Sequence, residues 1–125
     1  MEEKRLIIGL VEQVTLENNK KYRAKIDTGA DSSSIDKRLA QSLGDKKIIS
    51  HKIIRSALGK HKRPTILLKV KFQGIMFEEK FTISDRSKLK YKILIGQDIL
   101  KKEGFYINPH KIYKSTKEGS LQKWV

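Results

Sequence analysis

The chain has 125 residues, enough for one domain with a modest core and too few for both lobes of a bilobal enzyme. Lys and Arg number 28 against 14 Asp and Glu, a formal net charge of +14, so the surface attracts polyanions: nucleic acid, an anionic membrane surface, or an acidic peptide or protein. The absence of cysteine excludes disulfide staples, thiol nucleophiles and thiolate metal sites, and 38% hydrophobic residues argue against wholesale disorder.

Met1 to Arg5 lead into only a brief apolar stretch, and no apolar run approaches the roughly 20 residues that cross a bilayer. The expectation is a soluble, unexported, cytoplasmic protein with no membrane partner. Leu6 to Leu16 is rich in branched residues and interrupted by Gly9, which predicts a strand. Glu17 to Lys20 reads as a turn. Lys21 to Ile26 alternates, with Tyr22, Ala24 and Ile26 on one face and basic residues on the other, a half-buried strand. It runs directly into Asp27-Thr28-Gly29-Ala30-Asp31 and a serine cluster, Ser32-Ser33-Ser34-Ile35, read as loop or turn.

Asp36 to Lys47 has no clear period. Ile48 to Arg55 predicts a strand turned at Ser56 to Lys60. Pro64 then opens a run in which Ile66, Leu68, Val70 and Phe72 share a face. Gln73-Gly74 turns the chain into Ile75 to Ile83, whose alternation is broken only by Glu79, so the two runs predict an antiparallel hairpin. Ser84 to Ser87 ends it. Tyr91 to Ile95 is a further short strand stopped by Gly96, and Asp98 is placed to cap a short helix over Ile99 to Glu103 that ends at Gly104. Two short strands, Phe105 to Ile107 and Lys111 to Tyr113, flank Asn108-Pro109, and the tail to Trp124-Val125 has no clear period. The periodicity gives a mainly β domain with one or two short helices.

Chemistry concentrates in two places. An aspartate at the end of an apolar-faced strand, followed by Thr28 and Gly29, can be held by short hydrogen bonds and close backbone approach; taken alone, the same residues also read as an Asx or ST-type turn. Almost seventy residues later, Ile93-Leu94-Ile95-Gly96-Gln97-Asp98-Ile99-Leu100 reads as a buried strand turning into a helix. By itself that segment is ordinary core.

In that order the two segments resemble the paired hallmarks of the retroviral-type aspartic proteases, Asp-Thr-Gly-Ala at a strand end and Leu-Ile-Gly leading into a short helix. More narrowly, with Ile7-Ile8-Gly9-Leu10-Val11-Glu12 ahead of them, they resemble a small prokaryotic retropepsin-like family. Its members carry the label ATP-dependent zinc protease and are often found with ribosomal-protein glutamate ligases. The resemblance runs from residue 7 to residue 109 and is weakest between Asp36 and Arg63. It implies an all-β, retropepsin-like acid-protease β-barrel with a flap hairpin and one short C-terminal helix. Residues 1–125 would then form a single domain, one lobe of a homodimeric protease.

The residues themselves call for no cofactor. There is no His-Glu-x-x-His and no G-x-x-x-x-G-K-[ST] loop; the histidines are His51, His61 and His110. A metal needs three or four suitable ligands. His51 and His61 approach one another only if the hairpin brings them together, and otherwise read as polar surface residues.

What the resemblance implies is a shared pair of carboxylates. The chain has one Asp-Thr-Gly, so the second aspartate comes from another copy in a C2 dimer. Asp27 is the catalytic residue of each subunit, with Thr28 and Gly29 orienting the dyad. Ala30 and Asp31 line the cleft and bind substrate. The sequence departs from the retroviral pattern at Gly96-Gln97, where that pattern has Gly-Arg and the arginine pairs with the acidic residue after Asp-Thr-Gly-Ala, so the resemblance leaves the contacts of Asp31 open.

The flap assignment falls on His51 to Arg63, with Ser56, Ala57, Leu58, Gly59 and Lys60 at a substrate-binding tip; an ordinary connecting hairpin is the alternative. Its five cations (Lys52, Arg55, Lys60, Lys62 and Arg63) suit an acidic peptide, such as a glutamate-rich tail added to a ribosomal protein. The basic excess also reads as a plain solvated surface. As a third reading, the chain is a catalytically silent module docking on RNA or a ribosomal surface, with nucleic acid as a secondary partner. The aromatics fall mostly on periodic strand faces and read as core.

Overall fold

The computed structural model describes residues 6–111. Strands β1 (Ile7–Ile8) and β2 (Val11–Thr15) divide the first predicted strand at Gly9-Leu10. β3 (Lys21–Ile26) follows the turn at Glu17 to Lys20 and pairs antiparallel with β2. Ala24 and Ile26 are buried and Tyr22 is half-buried, as the alternation predicts, but Lys21, opposite Thr15 at the strand's start, is buried too.

The serine cluster is not wholly loop: Ser34 to Asp36 is a buried strand, β4, parallel to β7 (Ile75–Ser84) and antiparallel to β8 (Ile93–Ile95). Three residues buried on both faces cannot display a period of two, which is why the sequence hides it. Helix α1 (Lys37–Ser42) occupies the stretch without clear period, with the Asp36 carboxylate accepting the Arg38 N–H at its N-cap. A second short helix therefore joins the expected C-terminal one.

Strands β5 (Ile48–Ser56) and β6 (Gly59–Phe72) form a long antiparallel hairpin, and β6 runs through Pro64 before pairing with β7. Ile66, Leu68, Val70 and Phe72 are all at most 1% exposed, the face that the alternation predicts. Gln73 and Gly74 both take positive φ, 53° and 79°, the two-residue turn whose twist matches a hairpin and whose second position glycine fills without strain. After β8 come α2 (Gln97–Glu103) and β9 (Tyr106–Ile107), which lies parallel to β1. The predicted strand Lys111 to Tyr113 runs beyond the described residues, as does the tail.

The main sheet has the order β2-β3-β8-β4-β7-β6-β5, and β2 also pairs with β6, closing it into a ring. Its interior is filled by Ile35, Ile66, Phe72, Phe81, Ile93, Ile95 and Ile99, none more than 1% exposed. No described helix is long and apolar enough to cross a membrane.

Glu17 ties the first turn to the ring by accepting the Lys69 N–H at 3.1 Å and pairing with Lys46. Burial pushes its pKa up, but the bonds from Lys46 and Lys69 outweigh this and hold it below 4.5. A carboxylate with a depressed folded pKa adds stability above its unfolded value and loses it as pH falls through the folded one. The acid limb of a melting-temperature profile is therefore expected to be shallower in Glu17→Gln than in the parent.

Candidate active site

Parallel pairing of β3 with β8 places Ile26 beside Ile95, and the Asp27 N–H continues the ladder by donating to the Ile95 carbonyl at 2.9 Å. Asp27 thus sits where a buried strand ends, with its backbone fixed and its side chain half-buried. Its Oδ1 accepts the Gly29 N–H at 2.9 Å, and its carbonyl accepts the Ala30 N–H at 3.2 Å. The Asx turn expected as the plain alternative is present, then, and it fixes the carboxylate's direction. Thr28 and Gly29 are exposed.

The start of α2 clamps this loop. The Gln97 N–H donates to the Ala30 carbonyl at 2.8 Å and the Asp98 N–H to Asp31 at 3.2 Å. Gln97 Nε2 donates to the Thr28 carbonyl at 2.6 Å. Where the retroviral pattern has an arginine directed at the acidic residue, this chain has an amide directed at the threonine backbone.

Asp98 departs from its expected role. The N-cap is Gly96, with no side-chain cap bond. Besides its own helix's Ile99 N–H, the Asp98 carboxylate receives the Ser33 N–H at 3.1 Å and the Ser33 hydroxyl at 2.7 Å. Ser33 is fully buried, and its Oγ accepts the Gly96 N–H at 2.9 Å. Gly96 is required by contact: a Cβ there would lie 2.8 Å from the Ala30 carbonyl oxygen and from the Ser32 carbonyl group. Ser33 and Asp98 tie the loop after Asp27 to the start of α2, and their polar types in the two segments are the available signal.

Above the loop, a cleft of about 400 Å³ opens under the β5–β6 hairpin, lined by Ala30 and Asp31 below and by Lys52, Ile54 and Arg63 from the hairpin. Ala57 and Leu58 form the turn at the tip of the hairpin, between paired Ser56 and Gly59, with Leu58 fully exposed, and none of Ser56 to Lys60 lines this cleft. Lys52 stands directly opposite Arg63, and Arg55 opposite Lys60. Like charges facing one another across a strand pair are unfavourable, so the hairpin favours an anion nearby. His51 pairs with Pro64 and His61 with Ile54, which sets the two histidines apart in the register. Among the described residues no group of three or more potential ligands is placed to hold a metal ion.

One cleft residue escaped the sequence reading. Arg86, in the segment after β7, lines the cleft half-buried. Burial lowers its pKa, the charges of Asp27 and Asp36 oppose that, and Arg63 adds to it. In the sequence it is one more cation in a polar turn.

The model of the RimB-like family, retropepsin-like aspartic endopeptidase RimB, matches residues 37–118, about two thirds of the chain. The chain belongs to this family. The matched segment contains the hairpin, Arg86 and the Gly96-Gln97-Asp98 clamp, and begins after Asp27-Thr28-Gly29. Among solved structures, the chain is similar to Lpg0085 from Legionella pneumophila, described as a protein of unknown function (22% identity, TM-score 0.65, 88% of this chain and 98% of that one). It is also similar to EIAV protease in complex with the inhibitor HBY-793 (21%, TM-score 0.60, 82% and 91%). A third is the retroviral protease-like domain of Ddi1 from Leishmania major (21%, TM-score 0.58, 80% and 78%). At these identities the likeness concerns the fold, which is that of a retropepsin. No curated protein matches the chain.

Proposed function

We propose that the chain is a homodimeric aspartic endopeptidase in which Asp27 of two copies forms one catalytic dyad, acting on acidic peptides. The observation that carries this reading is the placement of Asp27: a carboxylate fixed at a strand end by the Gly29 N–H, beside exposed Thr28 and Gly29, in a loop that α2 clamps and whose next residues, Ala30 and Asp31, line a cleft with a hairpin roof. Family membership supports the reaction class. Exposure of Thr28 and Gly29 leaves room for a second copy to approach on a twofold axis.

Two carboxylates about 3 Å apart cannot both ionise comfortably and share one proton. The ionised aspartate takes a proton from water as the water oxygen attacks the scissile carbonyl carbon, and the protonated one gives its proton to the carbonyl oxygen. Collapse of the tetrahedral intermediate breaks the C–N bond, with a proton passing to the leaving amine. The dyad is regenerated with one proton. Cations at Lys52, Arg63 and Arg86 favour a substrate rich in Glu or Asp.

The test is mass-spectrometric detection of cleavage in a mixed peptide pool that includes glutamate-rich members, from about pH 4 to 8 to span the ionisation range of a shared-proton carboxylate pair. Products enriched in bonds next to acidic residues are expected. Cleavage confined to neutral peptides would overturn the substrate assignment.

A further inference from the structure

Arg86 is held by a scaffold more elaborate than a surface turn requires. The Asp36 carboxylate, 3% exposed, caps α1 through one oxygen and accepts the Arg86 N–H at 2.7 Å through the other. The Lys92 ammonium donates to three carbonyls of the same loop, those of Arg86 and Ser87 at 2.9 Å and Leu89 at 3.2 Å. Arg86 Nε donates to the Tyr91 carbonyl at 2.9 Å, which fixes the plane of the guanidinium.

Its outer end is less engaged. Nη1 lies 3.5 Å from Ser34 Oγ, and among the described residues no ion pair involves Arg86. The charges of Asp27 and Asp36 favour the guanidinium, but neither carboxylate forms an ion pair with it, and a half-buried cation without one is costly unless something anionic completes it. The surroundings point the same way: Lys52, Arg55 and Arg63 line the same cleft, and among the described residues Asp31 is its one acidic lining residue.

We propose that Arg86 is the specificity-determining residue of the cleft, receiving the carboxylate of one acidic side chain of the bound peptide at a fixed distance from Asp27. The inference rests on the peptidase reading for the identity of the cleft and goes beyond it in assigning one subsite to one residue. A guanidinium held at Nε presents a planar pair of N–H donors that matches a carboxylate fork. Lys52 and Arg63, from the hairpin above, add attraction that does not discriminate between positions. Asp36 and Lys92 act through Arg86 and are positioning residues.

The test uses the full chain carrying Asp27→Asn, so that peptides bind without turnover. Fluorescein-labelled peptides, neutral except for one glutamate walked through successive positions, are titrated by anisotropy. One position is expected to bind about ten- to hundredfold more tightly than the rest, the range for a hydrogen-bonded charge pair. Adding Arg86→Gln is expected to remove that step, and Arg86→Lys to keep part of it. Arg86→Glu is expected to favour lysine at the same position, a reversal that a merely structural role would not produce.

A flat dependence on position, or a step that survives Arg86→Gln, overturns the assignment. So does displacement of the peptide by single-stranded RNA of equal charge at far lower concentration, since phosphate would then be the ligand. An Arg86-dependent step in a protein that cleaves nothing would leave the subsite standing and remove the peptidase reading. Cleavage with no positional preference would do the reverse.

Discussion

Asp27→Asn is expected to reduce peptide hydrolysis by about 10⁴-fold or more, the loss typical of removing a group on which both nucleophile activation and proton transfer depend. The replacement is close to isosteric. The asparagine carbonyl oxygen still accepts the Gly29 N–H that Asp27 Oδ1 accepts at 2.9 Å, and the backbone bond to Ile95 is untouched. It no longer takes a proton from water. Product formation by mass spectrometry at matched concentration, with thermal melting to show an unchanged fold, checks this. Residual activity near that of the parent would assign the chemistry elsewhere.

The next largest effects are expected where α2 meets the loop. Gly96 has φ −99° and ψ −172°, which alanine adopts freely, so Gly96→Ala tests close approach alone. The added methyl would meet backbone atoms of Ala30 and Ser32 at 2.8 Å, and backbone yields only by moving the loop. A loss of about 1–3 kcal/mol is the usual result of overpacking, and a shift of about 1 Å at Asp27 would cost roughly 100-fold in rate. Asp98→Ala attacks the same clamp from the other side, leaving the N–H and hydroxyl of Ser33 without their acceptor. Unpaired buried donors cost about 1–3 kcal/mol each. Denaturant melts and kcat/KM on one peptide check both variants, and each is expected to lose more activity than its stability alone explains.

The clamp also marks the limit of what the sequence displays. β3 and the β6–β7 hairpin declare themselves because each buries one face, so alternation is written into Ala24 and Ile26 and into Ile66 to Phe72. β4 is invisible because Ser34, Ile35 and Asp36 are all buried, the polar members through bonds to distant groups such as the Arg86 N–H. Asp98 looks like a helix cap because the residue type suits one; its bond to Ser33, 65 positions away, depends on the pairing of β3 with β8. Arg86 is hidden among 28 cations, and only its burial and its fixed Nε set it apart. Asp27 stands out in the sequence through its motif. What surrounds it became legible only once the ring had closed.

The claim that two copies of Asp27 make one site is tested most directly by subunit mixing. Parent and Asp27→Asn chains would be unfolded together, refolded at constant total concentration and assayed across mixing ratios on one cleaved peptide. A dyad shared between copies predicts that activity falls as the square of the parent fraction, because mixed dimers carry a single aspartate, and that activity per chain declines on dilution. A linear fall, with activity per chain independent of concentration, would place a complete site within one chain and contradict the account.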